Sequence, residues 1–387
     1  MAQVMERFAS SYLETHYVSD AQRRVTRDIQ ACRTVALGGH WQACTACGDT
    51  KVHYNSCGNR ACPNCQGVKK ERWILERKHD MLPVKYFHVV FTLPSELRSI
   101  CWQNPKLCFN LLFSCAWQTL EAFSNDPAQQ LEARMGMISV LHTWTQKLLY
   151  HPHIHCIVPS GGMGADGKWK DTKSEGKFLF HAKAMAKTFR GKYMEKIVKA
   201  YKADELKLEG KLRPLQEPDA FWEWKKKLYD KNWVVYAKKP FENVETVLEY
   251  LARYTHKIAI SNYRILSMTD KTVTFSYLNR KAQTKETLTL SGEKFIQRFL
   301  MHVLPKGFSK IRHYGILSTR VKTKLINALK DYFGMVIKSR EKRNAREVIL
   351  LTTGVDVHLC SACKEGLLVM VKEIPRLRGS PKLPVAC

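Results

Sequence analysis

Three histidines alternate along one apolar run near the middle of the chain. The run is HPHIHCIV, residues 151–158, and PSGG follows it. In a β-strand, side chains two positions apart share a face, so His151, His153 and His155 would project together. Neutral imidazoles that converge on one point bind metal ions and leave coordination positions open for a substrate oxygen. We therefore predict a metal site; a set of strand histidines with ordinary hydrogen bonds is the alternative.

A fourth histidine lies on the preceding apolar run, GMISVLHTW. Only the segment TQKLLY separates the two runs, a spacing that suits an antiparallel hairpin. If the hairpin turns near Lys147 and Leu148, His142 lies opposite His153 and is a third metal ligand on the same sheet face. A shift of register by one residue would turn His142 to the other face, so His151 and a residue of a later helix stay alternatives.

Two tyrosines one helical turn apart supply a second chemical group. They lie in VETVLEYLARYTHK, residues 244–257, where Asn243 is a suitable helix cap and Glu245 suits the positive end of the helix dipole. Tyr250 and Tyr254 share one helix face, a spacing that alone more often marks core packing. A phenol is a weak nucleophile at neutral pH, but a divalent ion that polarises a phosphate allows a covalent phosphotyrosine to form. That bond keeps the energy of the phosphodiester, so rejoining needs no ATP.

Two Cys-x-x-Cys pairs near the N-terminus predict a zinc site. The pairs are Cys44 with Cys47 and Cys62 with Cys65, and fourteen residues separate them. This spacing lets four thiolates surround Zn²⁺. The block 32–66 has too few apolar residues to fold without such a metal; unliganded cysteines in a small core are the alternative. Further candidate ligands, which leave the set open, are Cys32, His53 and Cys57. A distant C-terminal segment offers three more possible ligands, His358, Cys360 and Cys363. This segment is either half of a metal site or not a metal site at all.

The chain is strongly basic. Its 387 residues include 63 Lys and Arg against 35 Asp and Glu, a formal net charge of +28, which favours a polyanionic partner and nucleic acid first. A cationic but solvated surface is the alternative. We expect the zinc ribbon to present cations to DNA phosphates, although a purely structural or protein-binding ribbon is equally compatible. These cations are Arg60, Lys69, Lys70 and Arg72.

Cysteine use and hydropathy indicate the compartment. The N-terminal residues carry charges and lack the apolar core of a signal peptide. Thirteen cysteines without an export signal favour thiolates and metal over disulfides. The longest apolar stretch, Leu107 to Trp117, is about half of the roughly 20 residues that cross a bilayer. We expect a cytoplasmic, nucleoid-associated protein without membrane contact.

Three regions must position these residues, and together they predict an α/β (α+β) protein. Residues 1–84 form a helix and a small zinc ribbon, residues 85–333 form an α/β domain, and residues 334–387 form a basic tail. A basic, mostly helical insertion occupies 163–220. Strands are predicted in KYFHVVFTLP, NWVVYAKKPF, IAISNYRIL, VTFSYL and KETLTL.

The combined motifs resemble the rolling-circle transposases of insertion-sequence family ninety-one, which are two-tyrosine members of the HUH endonuclease superfamily. The likeness spans about residue 10 to about residue 320 and includes LEYLARYTHKIAIS, LPKGFSKIRHYGIL and a zinc-binding region, GGHWQACTACG and YNSCGNRACPNCQ. It implies that His153 and His155 are the HUH histidines and that Tyr250 and Tyr254 are the nucleophiles. It also implies a five-stranded antiparallel sheet flanked by helices, and Mg²⁺ or Mn²⁺ at the histidines. Imidazoles alone do not select Mg²⁺, which prefers oxygen ligands.

The resemblance also implies a reaction and its partners. One DNA strand would be cut at the end of a mobile element, with a 5′-phosphotyrosine and a free 3′-hydroxyl, and then joined to a target strand. A replication initiator or relaxase with the same chemistry, and a non-catalytic zinc-ribbon DNA-binding regulator, are the alternatives. A host helicase is expected to expose single strands, because GMGADGKW lacks the Ser or Thr of a phosphate-binding loop; the oligomeric state stays open. Residues expected to line a groove for single-stranded DNA, unless they form a solvated helix, are Phe189, Arg190, Lys192, Tyr193, Lys196, Lys199, Tyr201 and Lys202.

Overall fold

The computed structural model of the chain describes residues 1–241, 246–247, 250, 258–279, 281–337, 339 and 341–377. The helices in these residues are α1 (Ala2–Thr15), α2 (Asp20–Ala31), α3 (Gly67–Lys78), α4 (Arg98–Gln103), α5 (Pro105–Ser124), α6 (Lys173–Gly176), α7 (Ala182–Lys202), α8 (Pro218–Asp230), α9 (Gly292–Leu300), α10 (Lys322–Tyr332) and α11 (Ala345–Thr353). The strands are β1 (Gly39–Cys44), β2 (Thr50–Tyr54), β3 (Tyr86–Thr92), β4 (Gly136–Trp144), β5 (Tyr150–Pro159), β6 (Gly161–Met163), β7 (Trp169–Asp171), β8 (Val234–Ala237), β9 (Ile265–Met268), β10 (Thr272–Asn279), β11 (Thr284–Ser291), β12 (Ile311–Gly315) and β13 (Leu368–Ile374). None of the helices in this part of the chain has both the length and the apolar surface needed to cross a bilayer.

A five-stranded sheet carries the histidine run. Its strand order is β12-β4-β5-β3-β8, and each neighbouring pair is antiparallel. The predicted hairpin forms from β4 and β5, while KYFHVVFTLP and NWVVYAKKPF form β3 and β8. The expected antiparallel sheet flanked by helices is therefore confirmed, and β5, with His153 and His155, is its middle strand.

Helices cover both faces of this sheet. On one face, Val89, Phe91 and Ile154 belong to an apolar core that includes residues of α5 and α7. On the other face, Ile138 and Ile157 belong to a core that includes residues of α3 and α10. Burial on both faces explains why the strands read as almost continuous apolar runs. The histidines of β5 lie at every second position before Ile157, so they share its face of the sheet. This is the face covered by α3 and α10.

The helix α7 is part of the core rather than of a peripheral insertion. Phe189 and Tyr193 are fully buried, and the phenol of Tyr193 donates a hydrogen bond to the carbonyl of Cys108 on α5. Tyr201 stacks on Phe221 of α8, with ring centroids 3.6 Å apart. The prediction that the aromatics of α7 line a DNA groove is therefore wrong. Aromatic residues four positions apart on this helix mark its buried face instead.

A second sheet packs on the N-terminal helices. Its strand order is β11-β10-β9, so VTFSYL and KETLTL form strands as predicted but do not join the histidine sheet. Phe275 of β10 and Phe295 of α9 share a core with Met5 of α1 and Ile29 of α2. The strand predicted in IAISNYRIL begins only at Ile265, after a short 3₁₀ turn.

The C-terminal segment folds back onto the N-terminal ribbon. Strand β13 pairs with β1, from Gly39 opposite Ile374 to Cys44 opposite Leu368, and completes a sheet of order β13-β1-β2. The helix α11 packs against α3. The described part of the predicted basic tail, which begins at residue 334, therefore includes a strand that joins the N-terminal ribbon. Strand alternation in the sequence shows that a strand forms but does not identify its partner.

Candidate active site

Three histidines meet on one face of the five-stranded sheet. The strand register places His142 opposite His153, as the hairpin predicts. The ligand nitrogens of His142, His153 and His155 lie within 4.8 Å of one another. His142 and His155 are buried, and His153 is half-buried. Imidazole donors grouped in this way suit a divalent first-row metal ion.

His151 lies outside this group. Its Nδ1 atom is 3.3 Å from Nη2 of Arg98, and since a guanidinium only donates, the imidazole accepts this hydrogen bond. Burial, followed by the charge of Arg98, lowers the pKa of His151. Between the alternatives left open by the sequence, the structure brings His142 rather than His151 to the other two histidines.

Hydrogen bonds at Nδ1 set the orientation of both strand histidines. Nδ1 of His153 lies 2.6 Å from the carbonyl oxygen of His151. A carbonyl only accepts, so His153 carries its proton on Nδ1 and the lone pair of the neutral ring is on Nε2. Nδ1 of His155 lies 2.8 Å from Nε2 of His88 on the adjacent strand β3. Such contacts at the second ring nitrogen are typical of histidines that bind metals.

His88 connects the histidine group to Tyr250. Its ring is nearly parallel to that of His155, with centroids 5.1 Å apart, and its Nδ1 lies 3.3 Å from the phenol oxygen of Tyr250. The rings of Tyr250 and His88 meet edge to face, with centroids 4.8 Å apart. Burial, followed by the charge of Lys238, lowers the pKa of His88 to about 4, so the imidazole is neutral at physiological pH. A continuous line of polar contacts thus runs from the tyrosine to the candidate metal ligands.

His88 was not predicted as a site residue, although its segment KYFHVVFTLP was predicted as a strand. The residue is the only polar one between Tyr86 and Phe91. A buried polar side chain needs a hydrogen-bonding partner, and this was the available signal. Tyr254, the second predicted nucleophile, lies outside the described residues.

Aromatic and basic side chains surround Tyr250. Its ring packs against Phe241, with centroids 5.0 Å apart, and Nζ of Lys238 lies 5.3 Å from the centroid of each of these two rings. An ammonium at this distance from a phenol is placed to interact with its face and with a nearby anion. The surroundings of Tyr250 therefore combine apolar packing with positive charge.

A buried ionic network fixes the helices over the histidine face. Asp80 accepts from Lys322 at 2.8 Å, and its carboxylate lies 3.1 Å from Nε of Arg77. Arg77 also lies 3.2 Å from Nε2 of His313 on β12. Arg77, Asp80 and Lys322 are all buried. The network links α3, the segment after it, α10 and the edge of the five-stranded sheet.

The cysteines of the two N-terminal pairs lie in separate groups. The first cysteine group contains Cys32, Cys57, Cys62 and Cys65. The second cysteine group contains Cys44, Cys47, Cys360 and Cys363. The predicted grouping of Cys44 and Cys47 with Cys62 and Cys65 around one ion is therefore wrong. The pair of Cys44 and Cys47 lies at the end of β1 and faces the C-terminal segment. The pair of Cys62 and Cys65 precedes α3 and faces α2.

The first group has the spacing of a zinc site. Its Sγ atoms are 3.4 Å apart between Cys32 and Cys65 and 3.6 Å apart between Cys57 and Cys65. Zn–S bonds of about 2.3 Å place sulfurs about 3.8 Å apart at the corners of a tetrahedron. Hydrogen bonds with the side chains of Cys57 and Cys62 lower the pKa of Cys32 to about 7, and the bond with Cys57 has the larger effect. Four thiols at these distances are suited to a structural Zn²⁺.

A cleft of about 1540 Å³ has Trp144, the last residue of β4, in its wall. Tyr17 and Trp102, both exposed aromatics, lie on its wall with Trp144. Trp144 stacks on His142, with centroids 4.4 Å apart and planes inclined by 21°, and so joins the cleft to the candidate metal ligands. Besides Arg60, the lysines and arginines that line the cleft are Arg24, Arg27, Lys207, Lys306 and Lys310.

Arg60 has a structural role in the wall of this cleft. Its guanidinium donates hydrogen bonds to the carbonyls of Leu304, Pro305 and Phe308. These contacts tie the loop of the first cysteine group to the segment before β12. The expectation that Arg60 faces DNA phosphates is therefore not met, because its donors are directed at the backbone.

Comparisons with known proteins agree with this arrangement. A family model described as a putative transposase matches residues 136–324, and one described as a transposase zinc-binding domain matches residues 4–93. A putative transposase, y4qJ, of Sinorhizobium fredii (strain NBRC 101917 / NGR234) is 38% identical over an alignment of 389 positions. The alignment covers 99% of this chain and 97% of that protein. The transposase for insertion sequence element IS801 of Pseudomonas savastanoi pv. phaseolicola is 28% identical over 315 residues, 80% of this chain and 73% of that protein. No solved structure matches the chain.

Proposed function

Because the chain belongs to the transposases of insertion-sequence family ninety-one, we propose that it cuts and rejoins single-stranded DNA at the ends of a mobile element through a 5′-phosphotyrosine. The observation that carries this proposal is the contact of the Tyr250 phenol with His88, which in turn contacts the three-histidine group. The proposed nucleophile and the candidate metal group thus lie one imidazole apart. Rolling-circle transposition follows from this chemistry if the cut strand is displaced and transferred.

The proposed cleavage is an exchange of one phosphodiester for another. The phenol oxygen of Tyr250 forms a bond to phosphorus as the bond from phosphorus to the 3′-oxygen breaks. The phenol gives up its proton, and the released 3′-oxygen takes up a proton to become a hydroxyl. Attack of a target 3′-hydroxyl on the phosphotyrosine reverses these changes, so no nucleotide cofactor is consumed. Tyr254 is proposed as the second nucleophile, which would hold one strand end while another is cut.

The three histidines are proposed to hold a divalent ion, Mg²⁺ or Mn²⁺. When bound, the ion would polarise the scissile phosphate and offset its negative charge. Three neutral imidazoles fit such an ion, and nitrogen donors favour Mn²⁺ over Mg²⁺. His142, His153 and His155 would bind it, with the proton of His153 kept on Nδ1 by the carbonyl of His151.

His88 is proposed as the residue that positions Tyr250. If His155 binds the ion through Nε2, its proton must be on Nδ1, and it donates to Nε2 of His88. The single proton of the neutral His88 ring is then on Nδ1, where it points at the phenol oxygen. A donor directed at that oxygen stabilises the phenolate as it forms. Metal binding and the orientation of the nucleophile are therefore coupled through one imidazole.

Single-stranded DNA is proposed to follow the cleft that has Trp144 in its wall. Exposed aromatics stack on bases without regard to sequence, and lysines and arginines track the backbone. Tyr17 and Trp102 supply the first kind of side chain, and five cations supply the second. A host helicase is proposed to expose the strand in the nucleoid. GMGADGKW itself forms the β6–β7 hairpin rather than the turn between a strand and a helix that a phosphate-binding loop requires.

The test is formation of a covalent protein–DNA adduct. Purified full chain is incubated with Mn²⁺ and single-stranded oligonucleotides that tile the DNA on both sides of the gene, and adducts are resolved in SDS. We expect an adduct with wild type and none with the double variant Tyr250→Phe/Tyr254→Phe, which should still bind DNA. Tyr263→Phe, at an exposed tyrosine outside the site, is the matched control and should form the adduct normally. An adduct that survives the double substitution would remove these tyrosines from the mechanism.

A further inference from the structure

The second cysteine group joins two parts of the chain that are far apart in sequence. Sγ of Cys44 lies 3.6 Å from Sγ of Cys363, although 319 positions separate the two residues. Sγ of Cys47 lies 3.8 Å from Sγ of Cys360. Both distances match the separation of about 3.8 Å expected for sulfurs around one tetrahedral Zn²⁺, and both exceed the roughly 2.05 Å of a disulfide.

The two halves of this group have the same local geometry. Each is a Cys-x-x-Cys turn, CTAC and CSAC, and the residue after each turn, Gly48 or Lys364, has a positive φ. In each turn the N–H of that residue donates to the carbonyl of the first cysteine, at 3.2 Å from Gly48 to Cys44 and 2.9 Å from Lys364 to Cys360. A lysine in the left-handed region is strained relative to glycine, so the turn is held there by its surroundings. Two such turns that face each other are the two halves of a zinc ribbon.

Backbone contacts hold the halves in register. The N–H of Thr45 donates to the carbonyl of Leu367 at 3.0 Å, and the N–H of Leu367 donates to the Thr45 hydroxyl at 3.0 Å. Gly366 lies directly against Cys44, because a Cβ at position 366 would overlap its Sγ atom. The approach of the two segments is therefore specific to these residues.

Apolar burial cannot account for this arrangement. Among the described residues, the buried cluster here contains only Cys44, Cys360 and Leu368, with Cys363 packed against it. Most of β13 is exposed, including its apolar residues Val369, Met370 and Val371. A sheet that buries so little surface needs another source of stability, and a structural metal supplies it in small domains of this kind.

We propose that Cys44, Cys47, Cys360 and Cys363 bind a second structural Zn²⁺, which clamps the C-terminal segment onto the N-terminal ribbon. The chain then carries two zinc ions, one in each cysteine group. The clamp also holds α11 against α3, the helix that contributes Arg77 to the ionic network at the histidine face. This inference does not depend on the DNA chemistry.

Zinc content of the purified full chain, measured by elemental analysis per mole of protein, tests the proposal. We expect two zinc ions in wild type and one in the double variant Cys360→Ser/Cys363→Ser. Cys115→Ala is the control, since Cys115 is buried in α5 outside both groups, and it should keep two. A wild-type chain with one zinc, or a double variant that keeps two, overturns the second site.

Alkylation of the wild-type chain covers the case in which the double variant does not fold. Cys47 is exposed, so iodoacetamide reaches this position in the native chain, and a bound metal would protect its thiolate from alkylation. We expect Cys47, Cys360 and Cys363 to be protected in the native chain and to react together after a chelator is added, as read by mass spectrometry. Immediate alkylation of Cys47 while Cys62 stays protected would contradict the proposal.

Discussion

The phenol oxygen of Tyr250 lies 3.3 Å from Nδ1 of His88. The other ring nitrogen of His88 lies 2.8 Å from His155. His88 thus contacts both the proposed nucleophile and a proposed metal ligand through its two ring nitrogens. A change at His88 should therefore affect catalysis without removing either group.

Replacement of His88 should slow adduct formation. Loss of a residue that supports a metal ligand typically costs about 10- to 100-fold in activity, and we expect His88→Leu to reduce the rate of adduct formation by this amount. His88→Gln, which keeps a donor and an acceptor, should recover part of the rate. The measurement is a time course at saturating Mn²⁺, with His16→Leu as a control at an exposed histidine. If both His88 variants react at the wild-type rate, the residue does not position Tyr250.

The histidine group predicts which imidazole is the third ligand. His142→Ala removes a donor from the group, so the Mn²⁺ concentration needed for half-maximal adduct formation should rise at least about 10-fold. His151→Ala is the matched control on the same hairpin, because His151 contacts Arg98 instead, and its Mn²⁺ dependence should stay within about twofold of wild type. Zinc content should be unchanged in both. The reverse order of effects would assign the third position to His151.

The cleft predicts where single-stranded DNA binds. Trp102 is 46% exposed on its wall, and loss of one base-stacking aromatic costs about 1–3 kcal/mol. We expect Trp102→Ala to weaken binding of a single-stranded oligonucleotide by about fivefold to 160-fold in fluorescence anisotropy. Trp222→Ala provides the comparison, because Trp222 is 38% exposed on α8 and does not line the cleft. Equal losses in both variants would place the DNA elsewhere.

The buried ionic network predicts a large effect on stability. Asp80→Ala leaves Arg77 and Lys322 buried without their carboxylate, and removal of one partner of a buried ion pair costs about 3–5 kcal/mol. Asp270→Ala breaks the exposed pair with Arg7 and should cost less than about 1 kcal/mol. Urea unfolding followed by tryptophan fluorescence compares the two. A small effect at Asp80 would mean that water reaches the network.

The histidine hairpin could be predicted from the sequence, whereas the pairing of distant segments could not. The position of His142 opposite His153 could be predicted because a short loop fixes the register of a hairpin. The partition of the cysteines could not, since the ligands that complete the group of Cys44 lie more than 300 positions away and spacing rules apply only to neighbouring residues. Periodicity likewise identified the strands of VTFSYL and KETLTL but not the sheet they join. The core role of Phe189 and Tyr193 was misread because lysines surround them in the sequence.

The pairing of β1 with β13 imposes an order on biosynthesis. The first strand leaves the ribosome early, but the neighbour on one of its sides is complete only when Ile374 has emerged. Until then one edge of β1 has unpaired backbone groups, which attract other strands. A prematurely terminated polypeptide would keep that exposed edge permanently, so nascent and truncated products should be preferred substrates for chaperones and proteases.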